Sequence, residues 1–246
     1  MDNKKPKIIT IASIKGGVGK STSAIILATL LSKNNKALLI DMDTQASVTS
    51  YFYKTLIESK FDLLEKNIYA VLKGNQLIND VIINVDRELD LLPSYLSLHA
   101  FSEEPLPYKE HRLKDNFKYL KFKYDFIILD TNPHLDSTLS NALVVSKHVI
   151  VPMTTEKWTI GSLQLLAFFI DKLKLNPKVF LFVTKFKKNK THKDLLKILQ
   201  KKEKFLGIIS ESEDLNRRIA KNARFDLDRD YIREYVNVLN NFISKI

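Results

Sequence analysis

Residues 8–23 read IITIASIKGGVGKSTS, and their pattern gives the first indication of the fold class. The apolar run Ile8–Ser13 predicts a β-strand, and Ser21–Lys33 predicts a helix that begins directly after the glycines. Glycine has no Cβ, so the backbone of such a turn can approach an anion closely, and the free N–H groups at the helix start point toward it. The stretch therefore predicts a polyphosphate-binding loop between a strand and a helix.

The rest of the chain alternates short apolar runs with longer amphipathic stretches. This alternation is typical of βα units in a parallel sheet covered by helices on both faces. We predict a doubly wound, mostly parallel α/β fold of the P-loop NTPase class, in one domain over residues 1–246. Helix-like pieces are expected within Thr44–Asp86, and a surface loop with a short helix within Ser94–Tyr108. Further strands are predicted at Ala37–Asp41, Leu89–Leu92, Phe126–Asp130, His148–Pro152, Val179–Thr184 and Leu206–Ser210, and a last helix over Asp230–Ile246.

Composition narrows the class of protein. The 246 residues include no cysteine, which excludes disulfides, Cys-ligated zinc and iron–sulfur clusters. The longest uncharged apolar stretch, Trp158–Ile170, is too short to cross a bilayer, and no signal peptide is visible, so we expect a soluble cytoplasmic protein. The formal net charge of +11 comes mainly from lysine. It permits binding to nucleic acid or an anionic membrane, and it equally follows from an AT-rich genome.

Two lysines flank the glycines of the predicted loop. The general phosphate-loop pattern G-x-x-x-x-G-K-[ST] is met at its end, but Ile14 replaces its first glycine and an additional lysine, Lys15, follows. We predict that Lys20 lies between the β- and γ-phosphates of a nucleotide and that the Ser21 hydroxyl binds Mg²⁺. The predicted nucleotide-binding residues of the loop are Lys15, Gly16, Gly17, Val18, Gly19, Lys20, Ser21 and Thr22.

The string KGGVGKS at residues 15–21 resembles the deviant Walker A motif of the ParA/MinD family of ATPases. The resemblance implies that ATP and Mg²⁺ are the ligands and that ATP binding assembles a homodimer. It further implies that Lys15 reaches across to the phosphates held by the partner subunit. A second cation there stabilises the charge that develops during phosphoryl transfer, so Lys15 and Lys20 are both predicted to be catalytic.

Carboxylates follow two of the predicted strands. Residues 39–45 read LIDMDTQ, which resembles the family's D-x-D-P-Q segment with threonine in place of proline. By this similarity Asp43 positions the attacking water and Asp41 helps to hold the hydrated Mg²⁺, at the strand ends where ligands bind in open α/β sheets. Residues 126–130 resemble a Walker B strand, so Asp130 is predicted to bind the metal. The chain continues with Thr-Asn-Pro where the family usually has two prolines.

Two later segments supply further predicted contacts. The resemblance places Thr184 and Lys185, at the end of a late strand, beside the adenine. It also places a DNA-binding surface late in the chain, where arginine suits contacts with phosphate and Arg218 best matches the family's arginine. The run Lys185–Lys204 is a second basic segment, for which a solvated surface is the alternative. The residues predicted to bind DNA are Arg217, Arg218, Lys221 and Arg224.

Together these features predict an ATP-dependent DNA partition protein. The ATP-bound dimer would bind DNA non-specifically in the cytoplasm, on the nucleoid, and hydrolyse ATP to ADP and phosphate when a ParB-like adaptor on a centromere-like site stimulates it. Two alternatives stay open: a MinD-like membrane-associated positioning ATPase and a DNA-independent switch that positions a protein cargo. The last predicted helix holds only two basic residues, Arg233 and Lys245, so we expect no membrane partner.

Overall fold

The computed structural model describes residues 5–121, 123–156, 159–187 and 190–246. The strands in these ranges are β1 (Lys7–Ile11), β2 (Ala37–Met42), β3 (Ile83–Asp86), β4 (Leu89–Leu92), β5 (Phe126–Thr131), β6 (His148–Met153), β7 (Lys178–Phe186) and β8 (Phe205–Ser210). They form one sheet in the order β3-β4-β2-β5-β1-β6-β7-β8. The β3–β4 pair is antiparallel and every other neighbouring pair is parallel.

Helices cover both faces of this sheet. They are α1 (Lys20–Leu31), α2 (Ser47–Tyr51), α3 (Tyr53–Glu58), α4 (Ile68–Lys73), α5 (Arg112–Phe117), α6 (Ser137–Val145), α7 (Thr159–Lys172), α8 (Lys190–Gln200), α9 (Glu213–Ala220) and α10 (Asp230–Ile243). Alternate residues of β2 enter different layers, since Leu39 packs with the core of α1 and α10 while Leu38 and Ile40 pack with that of α4. The predicted doubly wound, mostly parallel fold is confirmed. None of the described helices is both long and apolar enough to span a lipid bilayer.

Two local expectations need correction. The strand β3 was not predicted, because its residues are buried only in part and an edge strand lacks the continuous apolar run of a central one. The segment Ser94–Tyr108 does contain a short helix, a 3₁₀-helix over Leu96–Ser102, but it is not only a surface loop. Leu98 and Phe101 on this helix are fully buried beside α4.

The strand order determines where a ligand can bind. Strand β1 is central, with β5 on one side and β6 on the other. The connection from β1 to β2 leads to one half of the sheet, and the strands after β6 extend the other half. In such sheets ligands bind at the carboxyl ends of the strands near this reversal, which is the end where the loop before α1 lies.

Candidate nucleotide-binding site

The loop between β1 and α1 has the backbone that its glycines permit. Gly17 and Gly19 have φ values of 73° and 86°, in the left-handed region that side chains rarely adopt. No side chain caps the first turn of α1, so its N–H groups remain available to an anion. The Thr184 hydroxyl donates a hydrogen bond of 2.8 Å to the Val18 carbonyl and fixes the middle of the loop.

The side chain of Lys20 is buried at the base of this loop. It is 6% exposed, and its Nζ donates a hydrogen bond of 3.3 Å to the Lys15 carbonyl. Burial lowers the pKa of Lys20, while the nearby carboxylates of Asp130 and Asp43 act in the opposite direction. A cation in this low-dielectric position interacts strongly with any phosphate that enters.

Three carboxylates face the loop from the carboxyl ends of β2 and β5, as the sequence predicts. Asp41 and Asp130 occupy paired positions on these strands, and both are fully buried. Asp43 is 6% exposed, and its Oδ1 accepts a hydrogen bond of 2.9 Å from the Gln45 N–H. The strands thus bring together the three acidic residues that sequence reasoning singled out.

The two buried carboxylates differ in their partners. Asp41 accepts hydrogen bonds from the Thr49 N–H at 2.9 Å, from the Thr49 hydroxyl at 2.7 Å and from the Asp43 N–H at 3.1 Å. Burial nevertheless raises the pKa of Asp41 to about 7. No hydrogen bond of ordinary geometry reaches either oxygen of Asp130 from the described residues, but the Ser21 hydroxyl lies close enough to interact with this carboxylate. Burial, and next the charge of Asp41, raises the pKa of Asp130 well above its ordinary value.

These donors fit a Mg²⁺ ion that arrives with a nucleotide. No group of three or more His, Asp or Glu side chains in the described ranges could hold a metal by itself. Protein-bound Mg²⁺ commonly takes one or two carboxylates and completes its shell with water and substrate phosphates. Asp130, whose carboxylate is buried and interacts with the Ser21 hydroxyl, and Ser21 itself, in the first turn of α1, offer that partial set.

The additional lysine of the loop is held within its own chain. The Lys15 ammonium forms an ion pair with the Glu156 carboxylate, and its Nζ lies 3.4 Å from the Thr154 hydroxyl. Both partners follow β6, so the contact joins the loop to the neighbouring strand end. Sequence reasoning did not identify Glu156, because nothing local links positions 141 residues apart.

An open cleft of about 500 Å³ lies against the loop. Lys185, predicted to lie beside the adenine, lines it, whereas Thr184 is buried with its hydroxyl bound to the loop backbone. The sequence signals missed the contribution of α9, which presents Asn216 and Ile219 to the cleft. The full lining is Gly16, Gly17, Gly19, Lys20, Ser21, Thr22, Asp43, Gln45, Ser47, Pro133, Lys185, Asn216, Ile219 and Ala220.

The arginine predicted to be the main DNA contact has other partners in the structure. Arg218 donates from Nε to Asp214 at 2.8 Å and from a terminal nitrogen to the Arg224 carbonyl at 2.8 Å. Arg217 also pairs with Asp214, at 2.8 Å. Hydrogen bonds from these two arginines lower the pKa of Asp214 to about 2. Lys221 and the Arg224 side chain form no ion pair with the described residues, and Lys221 is exposed.

The departure after the Walker B strand is part of a hydrogen-bond network. The Asn132 amide donates to the Asp136 carboxylate at 2.8 Å and to the Thr138 hydroxyl at 2.9 Å. Asp136 is also the N-cap of α6, where it accepts from the Thr138 and Leu139 N–H groups. Asparagine at this position therefore holds the start of α6 against the end of β5.

Comparison with known proteins agrees with this geometry. A family model described as an AAA domain matches residues 6–183. The chromosome partitioning protein ParA of Myxococcus xanthus is 34% identical over 177 residues, which are 70% of this chain and 61% of that protein. Soj of Bacillus subtilis, a sporulation initiation inhibitor, is 35% identical over 161 residues, 64% of this chain and 62% of Soj. The chain belongs to the ParA/MinD family of ATPases.

Two solved structures of partition proteins are similar to this chain. A candidate plasmid partition protein from Borrelia burgdorferi B31, crystallised with AMPPNP, is 62% identical, with a TM-score of 0.97 over 98% of this chain and 100% of that one. A second plasmid partition protein from B. burgdorferi is 57% identical, with a TM-score of 0.91 over 99% of this chain and 100% of the other. These likenesses support a nucleotide hydrolase of the ParA/MinD family with a part in ATP-dependent partitioning.

Proposed function

We propose that this chain is an ATP-dependent DNA partition protein that hydrolyses ATP to ADP and phosphate as a Mg²⁺-dependent homodimer. The observation that carries the proposal is the phosphate loop, whose buried Lys20 lies near the carboxylates of Asp130 and Asp43, beside an open cleft that Lys20 and Asp43 both line. Such a site combines groups that bind a polyphosphate with groups that handle a metal and a water molecule. The similarity to plasmid partition proteins and to ParA supports the choice of task.

Each side chain of the loop has a distinct part in this proposal. Lys20 contacts the β- and γ-phosphates from its buried position, where its charge is little screened. Lys15 exchanges Glu156 for the phosphates in the partner subunit and stabilises the charge that develops on the transferred group. Asp43, at the rim of the same cleft, orients the attacking water.

Ser21 and Asp130 would hold Mg²⁺, which when bound neutralises charge on the β- and γ-phosphate oxygens. Asp41, for which a metal role was also predicted, has three protein donors on its carboxylate. We propose that Asp41 acts on the metal site indirectly, through neighbouring residues. It fixes the Asp43 backbone and the start of α2, and so sets the direction of the Asp43 side chain.

The base and the DNA are assigned to different parts of the carboxyl edge. We propose that Lys185 lies beside the adenine and that Thr184 acts through the loop that it anchors. Lys221 and Arg224 are the proposed direct contacts with DNA phosphates, with Arg217 beside them. Arg218 positions this surface by linking α9 to the segment after it. A ParB-like adaptor would stimulate hydrolysis on the nucleoid and so end the ATP-dependent contacts with DNA.

The decisive experiment is co-sedimentation with DNA, with and without ATP and Mg²⁺, beside anionic vesicles. We expect ATP to increase DNA binding in a sequence-independent and salt-sensitive way, since phosphate contacts dominate such binding. Asp43→Ala should keep the ATP-dependent binding and lose turnover. Binding to vesicles but not to DNA would favour the membrane-positioning alternative, and normal turnover in Asp43→Ala would remove the role given to that residue.

A further inference from the structure

The opposite edge of the sheet carries a large excess of positive charge. Seven strands, β1, β2 and β4 to β8, run in parallel, so the segments that lead into them meet at one edge, the amino edge. These segments contain fifteen lysine and arginine residues and four acidic residues, a formal charge of +11 that equals the charge of the whole chain. The amino-edge segments are residues 5–7, 32–36, 86–88, 117–125 apart from 122, 145–147, 172–178 and 200–204.

Several of these cations are exposed and lack a carboxylate partner among the described residues. Lys33, Lys123, Lys147 and Lys178 are exposed and lead into four different strands. In the part of the chain that the structure describes, none of the four forms an ion pair. A lysine near a helix C-terminus interacts favourably with the helix dipole. This interaction can explain one lysine at each helix end but not the larger number at this edge.

The positive electrostatic potential of this edge affects the pKa of a histidine that lies within it. His148 begins β6 and lies among lysines of the neighbouring strands. Burial lowers the pKa of His148, and the charges of Lys178 and Lys7 lower it further. The lysines of separate strands therefore act together on one point, as they would on a bound anion.

We infer that the amino edge binds the phosphate backbone of DNA, and that it does so without nucleotide. Neighbouring strands are about 4.8 Å apart, so the seven parallel strands extend for about 29 Å, which matches about eight base pairs of duplex. The sheet twists by about 20–25° from one strand to the next, so the row of lysines along its edge is twisted too. A twisted row of charges suits the helical backbone of DNA better than the flat surface of a bilayer. Tyr119 is the one large apolar side chain that is well exposed in the described amino-edge segments, so little could insert into lipid.

This inference rests on the proposed function for its choice of DNA, and it adds a second contact surface. Strands of about six residues separate the two edges by about 20 Å. Bound nucleotide contacts the carboxyl edge, so the amino edge keeps its affinity in every nucleotide state. The protein would thus remain near DNA, weakly bound, after hydrolysis releases the contacts at the other edge.

The test compares the triple variant Lys33→Gln/Lys123→Gln/Lys147→Gln with the control Lys54→Gln/Lys60→Gln/Lys114→Gln, whose exposed lysines lie elsewhere. Fluorescence anisotropy follows the binding of a labelled duplex to nucleotide-free protein at several salt concentrations. The slope of log K against log salt is negative, and each phosphate that the protein no longer neutralises makes it shallower by about 0.9, so we expect a slope shallower by about 2 to 3 in the amino-edge variant. The control variant should keep the wild-type slope.

Three results would overturn the inference: no DNA binding by nucleotide-free wild type, equal slopes in the two variants, or tighter binding to phosphatidylglycerol vesicles than to DNA. If the triple variant does not fold, Lys147→Gln alone should make the slope shallower by about 0.9. The proposed function fails by a separate sign, which is that ATP and Mg²⁺ add nothing to the DNA binding of the wild type.

Discussion

The two edges of the sheet use positive charge in opposite ways. At the carboxyl edge each cation that sequence motifs single out for catalysis has a carboxylate nearby: Lys15 pairs with Glu156, and Lys20 is buried near Asp43 and Asp130. In α9, two arginines share one aspartate. At the amino edge the four exposed lysines that lead into separate strands form no ion pair within the described residues. A surface of unpaired cations is free to attract a polyanion, whereas a paired cation must first leave its partner.

The comparison shows that a basic residue can occupy the expected position in a motif and still be unavailable to bind an anion. The phosphate loop is available because its backbone N–H groups and its buried lysine have no competing anion within the loop itself. The arginines of α9 sit where the family resemblance predicts a DNA surface, yet their guanidinium groups hold α9 against the segment that follows. Density of basic residues in the sequence does not distinguish these situations, since only the folded chain fixes which carboxylates are near.

The largest effect that we expect is the loss of ATP binding at the carboxyl edge without a change in DNA binding at the amino edge. Lys20→Ala should weaken ATP binding by about a hundredfold or more, because it removes a desolvated charge from the phosphate site. Nucleotide-free DNA binding through the amino edge should remain at the wild-type level. Isothermal titration with ATP and anisotropy with DNA measure the two properties on one preparation. A parallel loss of nucleotide-free DNA binding would show that the edges are not independent.

The sequence was sufficient to predict those parts of the site that are formed by residues close to one another in the chain. Glycine permits the left-handed backbone at Gly17 and Gly19, and the carboxylates come directly after buried strands, so the sequence could place them at the carboxyl edge. The pairing of Arg218 with Asp214 also had a local signal, because residues four apart on a helix are neighbours. Glu156 had no such signal, since tertiary packing alone brings it to the loop.

The next effect tests whether Arg218 positions a surface or contacts DNA itself. Arg218→Ala should lower Tm by a few degrees, because it breaks the links from α9 to Asp226 and to the Arg224 carbonyl. Arg217→Ala removes a side chain that is 66% exposed and should leave Tm nearly unchanged. Thermal unfolding of both variants decides between the roles. Equal Tm values with a selective loss of DNA affinity in Arg218→Ala would restore the direct contact.

A smaller effect is the pH dependence of the stability that the ion pairs of Asp214 give to α9. The folded pKa of Asp214, about 2, lies below its ordinary value, so its ion pairs stabilise the fold above about pH 4, and this contribution is lost as pH falls toward 2. Asp214→Asn should therefore have a lower Tm than wild type at pH 7, and the difference should shrink as the solution is acidified below about pH 4. A difference that stays constant down to about pH 2.5 would mean that the charge of Asp214 does not hold α9 in place.

The smallest effect concerns the pairing of Lys15 itself. Glu156→Gln removes the carboxylate that competes with phosphate for this lysine, and exposed ion pairs contribute about 0 to 1 kcal/mol. ATP-dependent self-association should therefore occur at a protein concentration up to about fivefold lower, as measured by analytical ultracentrifugation. Glu58→Gln, which breaks the exposed pair with Lys54, is the matched control and should change nothing. If Glu156→Gln associated more weakly than wild type, Glu156 would belong to the assembled dimer, and the paired state of Lys15 would not restrain assembly.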